Sequence, residues 1–316
     1  NSNAQHGTGS FMVSEADESD RSFLLLPKKY SIVTNIDREH LNTYQNFDDI
    51  KQSFIQFLNT TNSNGCNFIC INDPGIQSIT SQITYPYQTY GFDQNADFQI
   101  KNIRLHHDHS IFNVHIKKTN QTLQDIQVSL PGKHNILNAT GVIGLSLTLG
   151  VDENTLKNAL KSFQGVDRRF TFKGHHKSTQ ALIYDDYGHH PTELQVTLEV
   201  AQNKPQNKII MVFQPQRYSR TMHLWDEFVQ VLAHANIDHL IITDIYPANE
   251  LPVTGIDSQH LVAAIKHLNP TNPAQYIPFG QDGTLIVDFL NHHTQTNDLI
   301  LFQGAGKVNK LICKLL

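Results

Sequence analysis

Short β-branched and aromatic runs recur along the chain, and stretches with an apolar residue at every third or fourth position lie between many of them. Residues 31–34, 68–71, 208–213, 239–243 and 298–302 read as strands, several too apolar throughout to keep a solvent face. Trp225, Phe228, Val229 and Leu232 form one helical stripe, and Leu156, Ala159, Leu160 and Phe163 form another behind a candidate Asp152 cap. Ile183 closes a further apolar run, Pro191 fixes a helix-compatible φ, and Leu194, Leu198 and Ala201 follow at helical spacing. A strand, a loop and a helix are therefore expected in that order.

This alternation predicts an α/β protein with largely parallel sheets. The stretch 80–128 differs, because Phe98, Ile100, Ile103, Leu105 and then Ile111, Phe112, Val114, Ile116 alternate as antiparallel hairpin strands do. Gly165-Val-Asp-Arg-Arg-Phe170 lies between a helix and a new strand series, so the junction of two domains, 1–165 and 166–316, is placed there. Two domains is also what 316 residues lead one to expect. Gly7, Gly9 and the apolar Phe11 to Val13 predict a loop feeding straight into a strand, and the chain is expected to begin mid-domain.

The polar residues that interrupt this pattern fall where strands end, which is where open α/β sheets bind ligands. Tyr184-Asp-Asp-Tyr-Gly-His-His-Pro-Thr-Glu-Leu194 crowds two carboxylates, two imidazoles and a phenol onto one βα loop. Glu15-Ala-Asp-Glu-Ser-Asp20 offers four carboxylates after the expected first strand; Glu15, nearest the strand end, is the best-placed ligand for a hard cation such as Mg²⁺. In Thr34-Asn-Ile-Asp-Arg-Glu-His40, His40 can complete a metal shell or approach a phosphate, with Asp37 orienting the loop. Asn135 and Asn138 open a long helix three residues apart, where their amides either read the edge of an adenine or cap the helix. In Phe213-Gln-Pro-Gln-Arg-Tyr-Ser-Arg-Thr221, Arg217 and Arg220 flank Tyr218 on a loop suited to clamping a carboxylate or phosphate.

Charge and composition narrow the field. A formal net charge of −5 gives no basic field for nucleic acid, while local arginines leave small anions open. Cys66, Cys70 and Cys313 form neither an even disulfide framework nor a zinc pattern, and read as reduced thiols. No 18-residue apolar run occurs, and acidic residues stand where a signal peptide needs an apolar core. The expectation is a soluble, cytoplasmic protein without membrane partners.

The strings EADESD, TNID-x-x-H, HN-x-x-NA, RRF, DDYGHHPTE and FQP-x-RY-x-RT, in this order and spread over nearly the whole chain, resemble the Mur ligases, and among them the members that use L-alanine. The resemblance implies the rest of a central P-loop-type ATPase domain followed by a Rossmann-like C-terminal domain. It implies ATP and Mg²⁺ as cofactors and amide formation between UDP-N-acetylmuramate and L-alanine through an acyl phosphate. By the same resemblance Glu15 and His40 are Mg²⁺ ligands, Asn135 and Asn138 lie at the adenine, and Arg169 and Asp186 lie near ribose and phosphates. Tyr187, His189 and His190 face the reacting carboxyl, and Arg217, Tyr218 and Arg220 take the alanine carboxylate and product. Three departures stand out. No GTHGKTT-like phosphate loop occurs in the 316 residues, so the loop and a UDP-binding domain are expected upstream, and this chain alone is expected to have little ligase activity. Arg38-Glu39 replaces shorter, often acidic residues before the histidine, and Gln216 stands where the family commonly has histidine. The competing readings are a peptide-recycling ligase of the same family and a non-catalytic nucleotide-binding module.

Overall fold

The protein is described by a computed structural model that covers residues 6–40, 43–62 and 64–316. The first lobe runs β1 (Tyr30–Val33), α1 (Phe47–Asn59), β2 (Cys66–Cys70), α2 (Pro74–Gln77), β3 (Tyr87–Gly91), β4 (Phe98–Leu105), β5 (Ser110–Ile116), β6 (Gln121–Val128), α3 (Lys133–Thr148) and α4 (Glu153–Ser162). The second runs β7 (Thr171–His175), β8 (Leu182–Asp186), α5 (Pro191–Gln202), β9 (Ile209–Phe213), α6 (Tyr218–His223), α7 (Trp225–Ala233), β10 (His239–Ile242), α8 (Ser258–Leu268), β11 (Ala274–Tyr276), α9 (Thr284–His293), β12 (Leu299–Gln303) and α10 (Ile312–Leu315). Each lobe holds a six-stranded sheet, ordered β1-β2-β3-β4-β5-β6 and β11-β10-β9-β12-β8-β7.

The apolar strand runs are buried as their composition requires: every residue of β9 and β12 is buried, and both faces of the second sheet carry their own core. In that sheet only β7 pairs antiparallel, on the edge beside β8. Asp152 caps α4 by accepting from the Asn154 and Thr155 N–H groups. Phe228, Val229 and Leu232 bury the stripe of α7, whereas Phe163 lies just past α4 and is half exposed.

Two expectations are corrected. Residues 87–91 are not part of an antiparallel hairpin, because β3 pairs parallel with both β2 and β4 and the meander begins only at the β4–β5 pair. The fully buried Tyr90, whose hydroxyl donates to the Val33 carbonyl, draws β3 into the middle of the layered core. Phe11 to Val13 form no strand: with no neighbouring backbone to pair with, Met12 and Val13 are 89% and 94% exposed. Among the described residues no helix is long and apolar enough to cross a membrane, and the three cysteines are unpaired.

Candidate functional site

The loop between β8 and α5 is built from the start of α5 outward. His190 is the N-cap and Glu193 the third helical residue, and the two form a capping box. Glu193 Oε2 accepts from the N–H groups of both His189 (2.8 Å) and His190 (3.1 Å), while Oε1 accepts from Arg169 Nη1 (2.7 Å). Burial pushes the Glu193 carboxyl up, but neighbouring charges and hydrogen bonds outweigh it and bring the pKa down to about 2. Burial, then the Arg220 charge, hold His189 below the ordinary imidazole value, so near neutral pH the pull on Glu193 comes from Arg169 and the two backbone N–H groups.

The two histidines differ in what their rings do. His189 Nδ1 lies 3.0 Å from the Tyr187 carbonyl, which can only accept; the Nδ1–H tautomer follows, and Nε2 keeps an open lone pair. His190 Nδ1 accepts from the Thr192 N–H (3.3 Å), so Nε2–H donates to the Arg38 carbonyl (3.2 Å) in the first lobe. Both nitrogens of His190 are thus engaged within the protein, one by capping α5 and one across the lobes.

Asp186 is likewise engaged by the protein. It is buried, and it accepts from the N–H groups of Gly188 (2.7 Å) and Phe170 (2.8 Å) and from Gln303 Nε2 (2.8 Å). Those donors shape the loop and leave it little capacity for a ribose or phosphate. Burial still raises its pKa against the pull of those donors. Arg168 pairs with Asp185 (3.2 Å), donates to the Gly304 carbonyl (2.7 Å) and lies over the half-exposed Tyr187 ring.

The first lobe contributes residues 34–40, which dock on this loop. Asp37 accepts from the Thr192 hydroxyl (2.7 Å), and Glu39 receives Arg220 Nε and Nη2 (2.8–3.1 Å). His40 adopts φ 55° and its Nε2 meets Glu18 Oε1 at 3.2 Å. The acidic segment and His40 thus converge, but through Glu18; Glu15 is exposed and, among the described residues, makes no hydrogen bond or ion pair. Tyr44 and Thr43 hold the segment through the Glu18 and Ser19 carbonyls (2.6 Å each).

The arginine loop after β9 opens onto the same cleft, which Arg38, Glu39, His40, Arg217, Ser219 and Arg220 help to line. Arg217 has φ 67°, and its Nε is buried with no hydrogen-bond partner. Arg220 is occupied by Glu39 and Gln216. Tyr218 faces a separate hollow with Asp244, Asp257 and Tyr276, since successive positions at the start of α6 point about 100° apart; it is not beside the two arginines.

At the start of α3, Asn135 Nδ2 donates to the Pro131 carbonyl (2.7 Å) and Asn138 is exposed. Neither caps the helix, whose N-cap Gly132 has no side chain and sits at φ 102° with His134 2.7 Å from where a Cβ would stand. His134 is pushed down to about 4 by burial and by the charge of Arg169. That places the asparagine turn and Arg169 at one joint between the lobes.

Some organising residues are absent from the motif reading. Gln214 Oε1 accepts from the Lys307 and Val308 N–H groups, pinning the Gly304-Ala-Gly-Lys307 turn across the ends of β9 and β12. A Cβ at Gly304 would stand 2.6 Å from the Gln214 carbonyl. Two glycines just after an apolar strand run were the available signal. Glu250, which accepts from the Ser219 N–H (2.9 Å) and hydroxyl (2.6 Å), offered none.

Comparison with known proteins assigns both lobes. A profile described as the Mur ligase middle domain matches residues 2–146, and one described as the Mur ligase, glutamate ligase domain matches residues 168–306. The chain belongs to the Mur ligase family. This Mur ligase is 38% identical over 315 residues to the UDP-N-acetylmuramate--L-alanine ligase of Syntrophus aciditrophicus (strain SB); the alignment takes in 100% of the chain and 64% of that relative. It overlays MurC, the UDP-N-acetylmuramate-alanine ligase of Thermotoga maritima, at TM-score 0.72 and 24% identity, covering 95% of this chain and 61% of that one. A murein peptide ligase of Psychrobacter arcticus 273-4 gives 0.63 and 21%, covering 92% and 57%. At these identities the two solved structures speak for fold alone.

Proposed function

We propose that this Mur ligase joins L-alanine to UDP-N-acetylmuramate, with residues 1–165 and 166–316 closing on the cleft from either side. The observation that carries the reading is that residues 37–39, beside His40, bond both to the loop bearing His189, through His190 and Thr192, and to the turn bearing Arg217, through Arg220, in a chain 38% identical to a ligase of that name. ATP with Mg²⁺ supplies a phosphoryl group that converts the acid into an acyl phosphate, giving it a leaving group an amine can displace.

The residues fit that chemistry as follows. His40 and Glu18 already form a two-donor edge, and Glu15, without another partner among the described residues, can turn toward the same cation. Among the described residues no third histidine, cysteine or carboxylate completes a cluster, which suits a Mg²⁺ that takes its remaining ligands from phosphate and water. Asn135 Oδ1 and the exposed Asn138 amide offer acceptor and donor groups to the adenine edge, with Arg169 on the phosphate side. Arg217, which lines the cleft and whose Nε has no partner in the protein, is the cation for the alanine carboxylate. His189, neutral near pH 7 with Nε2 open, accepts the proton that the alanine ammonium must lose before attack. Tyr187 walls the reacting carboxyl, and Asp186 and His190 act by holding the loop.

The test is ADP release by the full-length protein with ATP, Mg²⁺, UDP-N-acetylmuramate and either L-alanine or a tripeptide. Alanine should drive release, and Arg217→Ala should raise KM for alanine roughly 100-fold while leaving KM for ATP nearly unchanged. Release driven by tripeptide and not by alanine would move the assignment to the recycling ligase. Silence with both would leave a nucleotide-binding module.

A further inference from the structure

Arg220 has a chemistry that the proposed reaction does not use. It is 8% exposed, and its donors are directed at the protein: Nε and Nη2 to the Glu39 carboxylate, Nη1 to the Gln216 carbonyl (3.2 Å) and side-chain Oε1 (2.7 Å). Glu39 and Arg220 are 181 residues apart and belong to opposite lobes. Burial pushes the Glu39 carboxyl up, but the guanidinium outweighs it and keeps the carboxyl below its ordinary range.

We infer that Glu39 and Arg220 form an inter-lobe clamp that fixes the spacing of the reacting groups, and that Arg220 is a positioning residue with no contact to substrate. Glu39 adjoins His40, and Arg220 lies one helical turn from Arg217, so this one ion pair couples the cation-side loop to the anion-side loop. The neighbouring bridge, Arg38 to Glu227 at 3.1 Å, leaves both side chains nearly half exposed and contributes little by comparison. The clamp is mostly shielded and engages two guanidinium nitrogens, the geometry in which removing one partner strands a buried charge. Gln216 completes it: its amide oxygen, which does not titrate, accepts from Nη1.

The inference rests on the roles proposed for His40 and Arg217, and its test has a readout independent of turnover. In the full-length protein, spin labels on Lys118→Cys and on the exposed Cys313 report the distance between lobes. Cys70 is buried and Cys66 partly buried, and burial raises the pKa of both thiols; Cys66→Ser removes the more accessible of the two from the labelling. Glu39→Gln and Arg220→Met should each lengthen and broaden that distance distribution. Each should lower kcat about 100-fold with KM for alanine changed less than about threefold, and the double variant should be no worse than either single one. Glu39→Asp and Arg220→Lys, which keep the charges, should fall between wild type and these variants and cover the case in which a neutral variant does not fold. An unchanged label distance overturns the clamp. So does a tenfold or larger rise in KM for alanine in Arg220→Met with a fall in Glu39→Gln, since Glu39 would then be standing in for the alanine carboxylate. If wild type shows no alanine-dependent ADP release, the proposed reaction fails while the label distances still decide the clamp.

Discussion

The loop 186–193 and the segment 15–20 both carry carboxylates, yet the first is built and the second is open. In the loop, Asp186 and Glu193 take hydrogen bonds from five backbone or side-chain partners of the protein, namely Gly188, Phe170 and Gln303 on one and His189 and His190 on the other, before Arg169 is added. In the segment, carboxylates serve mainly their own turns, as Asp17 does toward Ser19 and Asp20 toward Ser22. The difference teaches that a carboxylate's function depends on who has already occupied its oxygens. Buried acceptors at a helix start organise a site, whereas exposed ones remain for a ligand.

Asp186→Ala should have the largest effect, because it leaves the Gly188 and Phe170 N–H groups and the Gln303 amide without their acceptor in a buried place. A loss of about 3 kcal/mol in denaturant unfolding is expected; a loss under about 1 kcal/mol would break the claim that this loop is prebuilt. Glu193→Gln comes next and is pH-dependent. A carboxyl whose folded pKa is lowered from 4.5 to about 2 contributes its stability above pH 4.5 and loses it as pH falls toward 2. About a third of that side chain remains open to solvent, so screening brings the contribution to about 1–2 kcal/mol. The variant should be less stable than wild type at pH 7, and the two should converge when thermal unfolding is followed down to pH 2. Glu15→Gln should be the smallest on stability, within about 0.5 kcal/mol, while weakening Mn²⁺ binding measured by the free-ion spin-resonance signal in the presence of ATP. Destabilisation above about 1 kcal/mol would mean the segment is organised after all.

Much of the second lobe was legible because parallel strands buried on both faces are largely apolar, and 209–213 and 299–302 are apolar throughout. The start of α5 was legible from Pro191, and that of α4 from Asp152. What escaped depends on relations that no local window contains. The parallel placement of β3 follows from Tyr90 reaching Val33, and the direction of Tyr218 from where α6 sits over the sheet. The site motifs marked loops that touch one another in the fold but not which side chains would be free: His190 and Asp186 are engaged by their own backbone surroundings, and Glu18 rather than Glu15 reaches His40. The strand expected at 11–13 failed because alternation identifies a face and cannot provide a partner to pair with.

One carboxylate, Glu193, grips the main chain of both histidines and the side chain of Arg169. The three are therefore held as one unit. Fraying of the first turn of α5 would loosen His189, His190 and Arg169 together, because all three are tied to that one carboxylate.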